Sequence, residues 1–186
     1  MIQPSTADIK GDYERYTNRA ITLIHSPETS DAVLQTLQGP DPVQKVADGV
    51  VMVMQRIDAA ARDKGVEVQD SVKIFGAHEI VNLVVELGEA AGVLKLEDDL
   101  RELALSVAVQ DYVKGEVAAR RIDPKKLQVA VDADIRKMPP KDRKEIQASQ
   151  LRIQQTARKY NGGQGIQGPA EEPTAQKGLI ASAGGM

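Results

Sequence analysis

The chain has 186 residues, a formal net charge of −3 and no cysteine, so disulfide bonds and thiolate metal sites are excluded. Hydrophobic residues make up 41% of the chain but aromatic residues only 3%, which predicts one aliphatic core better suited to packed helices than to a sandwich of sheets. The longest apolar run, Val50 to Met54, is far below the roughly 20 residues that cross a bilayer, and the N-terminus lacks the pattern of a signal peptide. We therefore expect a soluble protein without a membrane span.

Proline, glycine and capping residues divide the N-terminal part of the chain into three predicted helices. They cover residues 8–25, 30–38 and 41–65, and the third is entered through Asp41, which can cap a helix, and Pro42, which fits a first turn. The predicted inner faces are Ile9, Tyr13, Tyr16, Ala20 and Ile24 in the first helix and Val43, Val46, Val50, Met54, Ile57 and Ala61 in the third.

The segment FGAHEIVNLVVELGEAAGV, residues 75–93, is apolar over much of its circumference, which predicts a helix in the middle of the domain. Gly76 and Gly88 would let neighbouring helices approach closely, and Gly92 is expected to end the helix in the left-handed conformation. The two predicted buried stripes are Gly76, Ile80, Leu83, Val84, Leu87 and Ala91, and Ile74, Ala77, Val81, Val85 and Gly88.

The same segment contains His78 and Glu79 followed by Asn82, which differs from the H-E-x-x-H zinc protease signature only in its last position. A carboxamide cannot replace the second imidazole at zinc, and the only other histidine, His25, is far away in sequence. We therefore expect a packed helix here, with no metal site.

Three further helices are predicted, at residues 97–119, 123–138 and 140–160, the last two each starting with proline. Residues from Asn161 onward are rich in glycine, alanine, proline and glutamine and are expected to be disordered in isolation. In this tail the apolar pair Leu179 and Ile180 could order on a partner, with an inert tail as the alternative. The predicted fold is all-α, a helical bundle with a C-terminal helical arm and a disordered tail.

Charge divides the chain into three segments. Residues 1–113 contain 10 Lys and Arg against 19 Asp and Glu, a net of −9, residues 114–160 contain 13 against 6, a net of +7, and residues 161–186 contain one Lys and two Glu. These segments are predicted to be an acidic helical bundle, a basic arm and a flexible low-complexity tail. The predicted partner-binding residues are Arg120, Arg121, Lys125, Lys126, Arg136, Lys137, Arg143, Lys144, Arg152, Arg158, Leu179 and Ile180.

The basic arm has two functional interpretations besides a plain solvated surface. Lys and Arg in a line can neutralise nucleic-acid phosphates, although this segment has few aromatic residues for base stacking and interleaves acidic residues such as Asp132 and Asp134. Alternatively, the basic arm of one subunit could meet the acidic body of the next in a head-to-tail assembly, which closes as a ring if the rotation allows. The thin apolar stripes of the last two helices favour assembly, since most helical stability comes from packing a face.

Motifs of catalysis are missing from the sequence. It contains no Gly-x-Ser-x-Gly elbow, no P-loop and no Gly-x-Gly-x-x-Gly fingerprint after a strand, and it has no cysteine nucleophile. We therefore expect a protein that is not an enzyme and that has no cofactor.

The chain resembles the small helical virion proteins of tailed bacteriophages. The resemblance lies in PDPVQKVADGVVMVMQRIDAAARDKG, FGAHEIVNLVVELGEAAGV and the ending KGLIASAGGM, and it carries no diagnostic motif. It implies a non-enzymatic structural or assembly protein of the virion, made in the host cytoplasm and present as a homo-oligomer. Such a protein would dock on another virion protein at the portal or neck or in the ejection apparatus. The alternative is a cytoplasmic helical adaptor or regulator that binds a protein or nucleic acid through its basic helices, and contact with DNA stays open in both cases.

Overall fold

The protein is all-α. The structure, a computed structural model, describes residues 6–137 and 139–164, and these residues form seven α-helices. The helices are α1 (Thr6–Ile24), α2 (Pro27–Thr36), α3 (Pro42–Arg62), α4 (Asp70–Ala90), α5 (Asp98–Ala118), α6 (Pro124–Lys137) and α7 (Pro140–Gln164). None of the helices in the described part of the chain is both long and apolar enough to cross a membrane.

Helix α4 lies at the centre of the bundle, as its sequence predicts, and packs against α1, α2, α3 and α5. The predicted close approaches at its glycines are confirmed. A Cβ atom on Gly76 would lie 2.5 Å from Cδ1 of Tyr16, and one on Gly88 would lie 2.8 Å from Cδ1 of Leu37. Only glycine at these positions therefore allows Tyr16 of α1 and Leu37, which directly follows α2, to lie this close to α4. Ala91 is exposed, contrary to its predicted place in the buried stripe, because the helix ends at Ala90.

The core is mainly aliphatic, with Tyr16 and Tyr112 buried in it, and its largest helix pair is α3 on α5. The inner faces of α1 and α3 are largely as predicted, with Ala61 only half-buried and the Ile9 side chain outside the described residues. The fully buried side chains include Ala20, Ile24, Val33, Val46, Val50, Val53, Met54, Ile80, Val84 and Val85.

Helix ends follow the local chemistry of the chain. Asp41 caps α3 by accepting the backbone N–H of Gln44 at 3.0 Å, and Pro42 takes the first helical position. Gly92 is left-handed, with φ of 68°, at the end of α4 as predicted. The second helix differs from its prediction, because Pro27 starts α2 instead of lying in the gap before it.

The last two helices differ in how they contact the bundle. Helix α6 shares no substantial packing surface with any other helix in the described part of the chain. Helix α7 returns to α5, where Ile153, Ala157 and Tyr160 pack on the core, and it continues to Gln164 instead of ending at Tyr160 as predicted. The C-terminal half of the basic arm is thus folded back on its own subunit, and α6 connects it to α5. The charge boundary at residue 113 falls inside α5, so bundle and arm share one continuous helix.

Candidate functional site

The basic arm leaves the bundle at a tight turn, residues 119–123, here named the arm root. Arg120 has a φ of 57°, in the left-handed region where glycine is usual. The N–H of Arg120 donates to the carbonyl of Val117 at 2.9 Å, and the N–H of Arg121 donates to the carbonyl of Glu116 at 2.8 Å. This pair of bonds is a Schellman motif, and it fixes the direction in which the chain leaves α5.

An ion pair between side chains also holds the arm root on the bundle. Nε and Nη2 of Arg121 each donate to a carboxylate oxygen of Glu116 at 2.7 Å. The Glu116 side chain is 3% exposed and the Arg121 side chain 43% exposed. The hydrogen bonds from Arg121 lower the pKa of Glu116, although burial opposes them. Arg121, predicted from the sequence to bind a partner, thus uses these two donors within its own subunit.

The predicted partner-binding residues on α6 are exposed to solvent wherever the structure describes their side chains. Lys125, Lys126 and Arg136 are exposed, and the side chain of Lys137 lies outside the described residues. Oδ1 of Asp123 accepts the backbone N–H groups of Lys125 and Lys126 at 2.9 and 3.4 Å and so caps the helix. Two lysines in a first turn add to the positive end of the helix dipole, which concentrates positive charge next to the arm root.

The predicted residues on α7 are also exposed, but they fall into two groups. The exposed basic residues are Arg143, Lys144, Arg152 and Arg158. The first two precede the part of the helix that packs on α5, whereas Arg158 lies in the packed part beside Tyr160. Arg143 and Lys144 at the start of α7 are therefore separated from Arg158, which lies on the part of α7 that packs on the bundle. Leu179 and Ile180 of the tail lie outside the described residues.

Sequence reasoning missed a buried polar cluster below the arm root. Asp58 is 3% exposed and accepts a hydrogen bond from the hydroxyl of Tyr112, which is 2% exposed. Nζ of Lys73 lies 3.9 Å from the bonded oxygen of Asp58. Within the described residues the other oxygen of Asp58 and the hydroxyl of Tyr16 are buried without a hydrogen-bond partner. A cavity of about 410 Å³ adjoins this cluster and is lined by Asp58, Lys73 and Glu116 among others.

Burial dominates the protonation chemistry of this cluster. It raises the pKa of Asp58 despite the hydrogen bond from Tyr112 and the charge of Lys73, and it raises the pKa values of Tyr16 and Tyr112 as well. One signal in the sequence points to Asp58, because it follows Met54 by four residues and so falls on the predicted inner stripe of α3. A carboxylate at such a position has to find a partner inside the protein.

The H-E-x-x-N segment is divided between two faces of α4. His78 and Asn82 line a cleft of about 190 Å³ against the start of α5, whereas Glu79 accepts a hydrogen bond from the hydroxyl of Tyr13 on α1 at 3.4 Å. Glu79 therefore does not face the cleft as the glutamate of a zinc protease faces its metal. Across the residues that the structure describes, no three His, Asp or Glu side chains are grouped so that they could hold a metal ion.

An acidic surface, here named the acidic corner, lies where α4 ends and α5 begins. It consists of Glu86, Glu89, Glu97, Asp98, Asp99 and Glu102, all exposed. Its basic neighbour Arg101 donates to Glu89 at 2.9 Å and to the carbonyl of Leu96 at 3.3 Å, and its Nε lies 3.8 Å from Asp98. The His78 cleft opens at this corner, because Asp98 and Glu102 also line it.

No family model matches the chain, and neither a curated protein nor a solved structure shows significant similarity to it. The basic arm, the buried polar cluster and the acidic corner are therefore the features on which a functional assignment depends.

Proposed function

We propose that the protein is a non-enzymatic structural component of a tailed-phage virion, which self-associates and docks on another virion protein at the portal or neck or in the ejection apparatus. The observation that carries this proposal is the exposure of helix α6. This helix has 14 residues, exposed lysines and little packing against the described parts of its own subunit. An isolated helix of that length is only marginally stable in water, so a binding partner would supply the packing that the bundle does not.

Each of the two helices of the arm also carries one exposed large apolar side chain. Val129 on α6 is 69% exposed and Leu151 on α7 is 56% exposed. A complex with a partner that covered them would be stabilised by their burial, while the surrounding charges would select that partner. The acidic bundle of a second copy has the complementary charge.

The oligomeric state of the full chain in solution tests the proposal. Light scattering after size-exclusion chromatography should give a mass well above one subunit at about 50 mM salt and a lower mass at about 500 mM, since exposed charges are screened at high salt. The variant Lys125→Glu/Lys126→Glu should remain monomeric. The control Arg19→Glu/Lys64→Glu makes the same charge change at exposed positions of the bundle and should behave as the native protein.

A second candidate function is supported by the exposed basic residues of α6 and of the start of α7, which are Lys125, Lys126, Arg136, Arg143 and Lys144. In this alternative the protein is a cytoplasmic adaptor or regulator that binds a protein or nucleic acid through its basic helices. A native protein that stays monomeric and binds duplex DNA with a steep dependence on salt would support the alternative and contradict self-association. The same double variant should then lose DNA binding while the bundle control keeps it.

A further inference from the structure

The two oppositely charged surfaces lie at opposite ends of α5. The acidic corner includes its first turn, and the arm root follows its last residue, Ala118. A helix of 21 residues is about 30 Å long, so the lysines of α6 and the carboxylates of the corner are separated by roughly that distance within one subunit.

Helix α6 cannot bring its lysines to the corner of its own subunit. Lys125 and Lys126 lie in its first turn, only a few residues from the arm root, and the root is held by the Arg121–Glu116 pair and the Schellman motif. Any contact between these lysines and an acidic corner must therefore join two copies of the chain.

The acidic corner has a shape as well as a charge that suits a basic side chain. The His78 cleft has a volume of about 190 Å³, more than ten times the roughly 10–15 Å³ of such space that one water molecule needs. Asp98, whose side chain is 100% exposed, and Glu102 lie on its wall. Arg101, the basic residue in the lining, is already engaged with Glu89, so the corner stays negative.

From these observations we infer that α6 of one copy docks through Lys125 and Lys126 on the acidic corner of a second copy, with a lysine entering the His78 cleft. This inference rests on the proposed self-association and identifies the surface that receives the arm. The contact is head-to-tail, because each copy offers its arm at one end of α5 and its corner at the other. Such contacts repeat, and they form a ring if the rotation closes and an open chain if it does not.

Two complementary variants of the full chain test this inference. The arm variant is Lys125→Glu/Lys126→Glu, and the corner variant is Glu86→Lys/Glu102→Lys, whose positions lie beyond the first turn of a helix and whose side chains are exposed. At low salt the dissociation constant for self-association of each variant alone should be roughly tenfold or more above the native value, because like charges then face each other. Circular dichroism and thermal melting check that both variants are folded.

Mixing the two variants distinguishes a head-to-tail contact from other modes. The native corner of the arm variant can receive the native arm of the corner variant, and the basic corner of the corner variant can receive the acidic arm of the arm variant. An equimolar mixture should therefore assemble, with the two variants alternating. Combining all four substitutions in one chain should restore self-association, because the charges of both surfaces are exchanged.

The outcomes separate this inference from the proposal on which it rests. A monomeric native protein would contradict both. Native self-association that the arm variant abolishes and the corner variant leaves unchanged would overturn the corner as receptor and leave the proposed function standing. A mixture that stays monomeric, or a fourfold variant that stays monomeric, would overturn the head-to-tail contact. Binding of duplex DNA that is lost in the arm variant, without self-association, would assign α6 to nucleic acid instead.

Discussion

The hydroxyl of Tyr160 donates a 2.9 Å hydrogen bond to Oδ1 of Asp41, a residue 119 positions earlier in the chain. The same oxygen accepts the backbone N–H of Gln44 at 3.0 Å and caps α3. One carboxylate therefore starts a core helix and anchors the end of the arm. In the described residues α6 packs little on the bundle, whereas the arm root at one end and Tyr160 with Ile153 and Ala157 at the other hold the arm on the bundle.

Removing the Tyr160 hydroxyl should release the end of α7. For Tyr160→Phe we expect a loss of about 0.5–1.5 kcal/mol in the stability of the packed segment, the usual net contribution of one such hydrogen bond. Hydrogen exchange at residues 150–160 should accelerate while exchange in α4 stays unchanged. Gln154→Ala, at an exposed position on the same helix, serves as the control.

The same contact predicts a response to alkaline pH. Burial and the bond to Asp41 raise the pKa of Tyr160 to about 12. A raised pKa means that the contribution to stability is complete below the unfolded value of 10.0 and is lost as the pH rises towards 12. The difference in exchange between native protein and Tyr160→Phe should therefore disappear over this range, and a difference that persists would contradict the assignment.

The Asp58–Tyr112 bond predicts opposite effects for its two partners. Tyr112→Phe leaves a buried carboxylate without its hydroxyl donor and should cost about 1–3 kcal/mol of unfolding free energy. Asp58→Asn keeps an acceptor for Tyr112 and removes the buried charge, so it should be neutral or stabilising at pH 7. Urea unfolding of the two variants measures both effects.

The contributions of Asp58 and Glu116 to the stability of the protein should change in opposite directions as the pH falls. The pKa of Asp58 is raised above 3.8, so its contribution to stability is present at low pH and is lost as the pH rises through its folded value. The pKa of Glu116 is lowered below 4.5, so its contribution is present above that value and is lost as the pH falls. Relative to the native protein, the unfolding free energy of Asp58→Asn should therefore be raised most at pH 7. The unfolding free energy of Glu116→Gln should be lowered most at the same pH. If the stability differences of the two variants changed with pH in the same direction, the opposite shifts in the pKa values of the two carboxylates would be contradicted.

Substitution of Gly76 tests how tightly α1 packs on α4. In Gly76→Ala the new Cβ would lie 2.5 and 2.7 Å from ring atoms of Tyr16, so the helices must separate, at a cost of about 1–3 kcal/mol. Gly11→Ala is the matched control on α1, because its Cβ would meet only Nη1 of Arg15, at 3.7 Å. It should stabilise the protein by about 0.5–1 kcal/mol through helix propensity. Equal effects of the two substitutions on the urea midpoint would contradict the close approach.

Arg120 tests the geometry of the arm root. Its φ of 57° is costly for a residue with a Cβ, so Arg120→Gly should stabilise the protein by about 1 kcal/mol. Arg120→Ala keeps the Cβ and should give no such gain in thermal or urea unfolding. Self-association should be equal in the two variants, because both lack the Arg120 side chain and both keep Lys125 and Lys126. A gain in the alanine variant equal to that in the glycine variant would contradict the left-handed turn.

Local chemistry within the sequence was enough to determine where most helices lie. Asp41 and Pro42 at one helix start and Gly92 at one helix end act through backbone bonds with residues one turn away, and apolar spacing of three and four residues marks the inner faces. The all-α fold, the central place of α4 and the close contacts at Gly76 and Gly88 could therefore be predicted. The basic residues of the arm whose side chains are described lie at the surface, and their role in binding a partner stays a prediction.

Only the tertiary structure decided which distant residues meet. The bond between Tyr112 and Asp58, the return of α7 to α5 through Tyr160 and the division of His78 and Glu79 between two faces depend on how whole helices pack. Periodicity shows which face of a helix is buried, but it does not show which helix covers that face. For the same reason the sequence shows that acidic residues at 97–102 and the lysines at 125–126 flank one predicted helix, whereas only the packing of α4 on α5 brings Glu89 to Arg101 beside the acidic end.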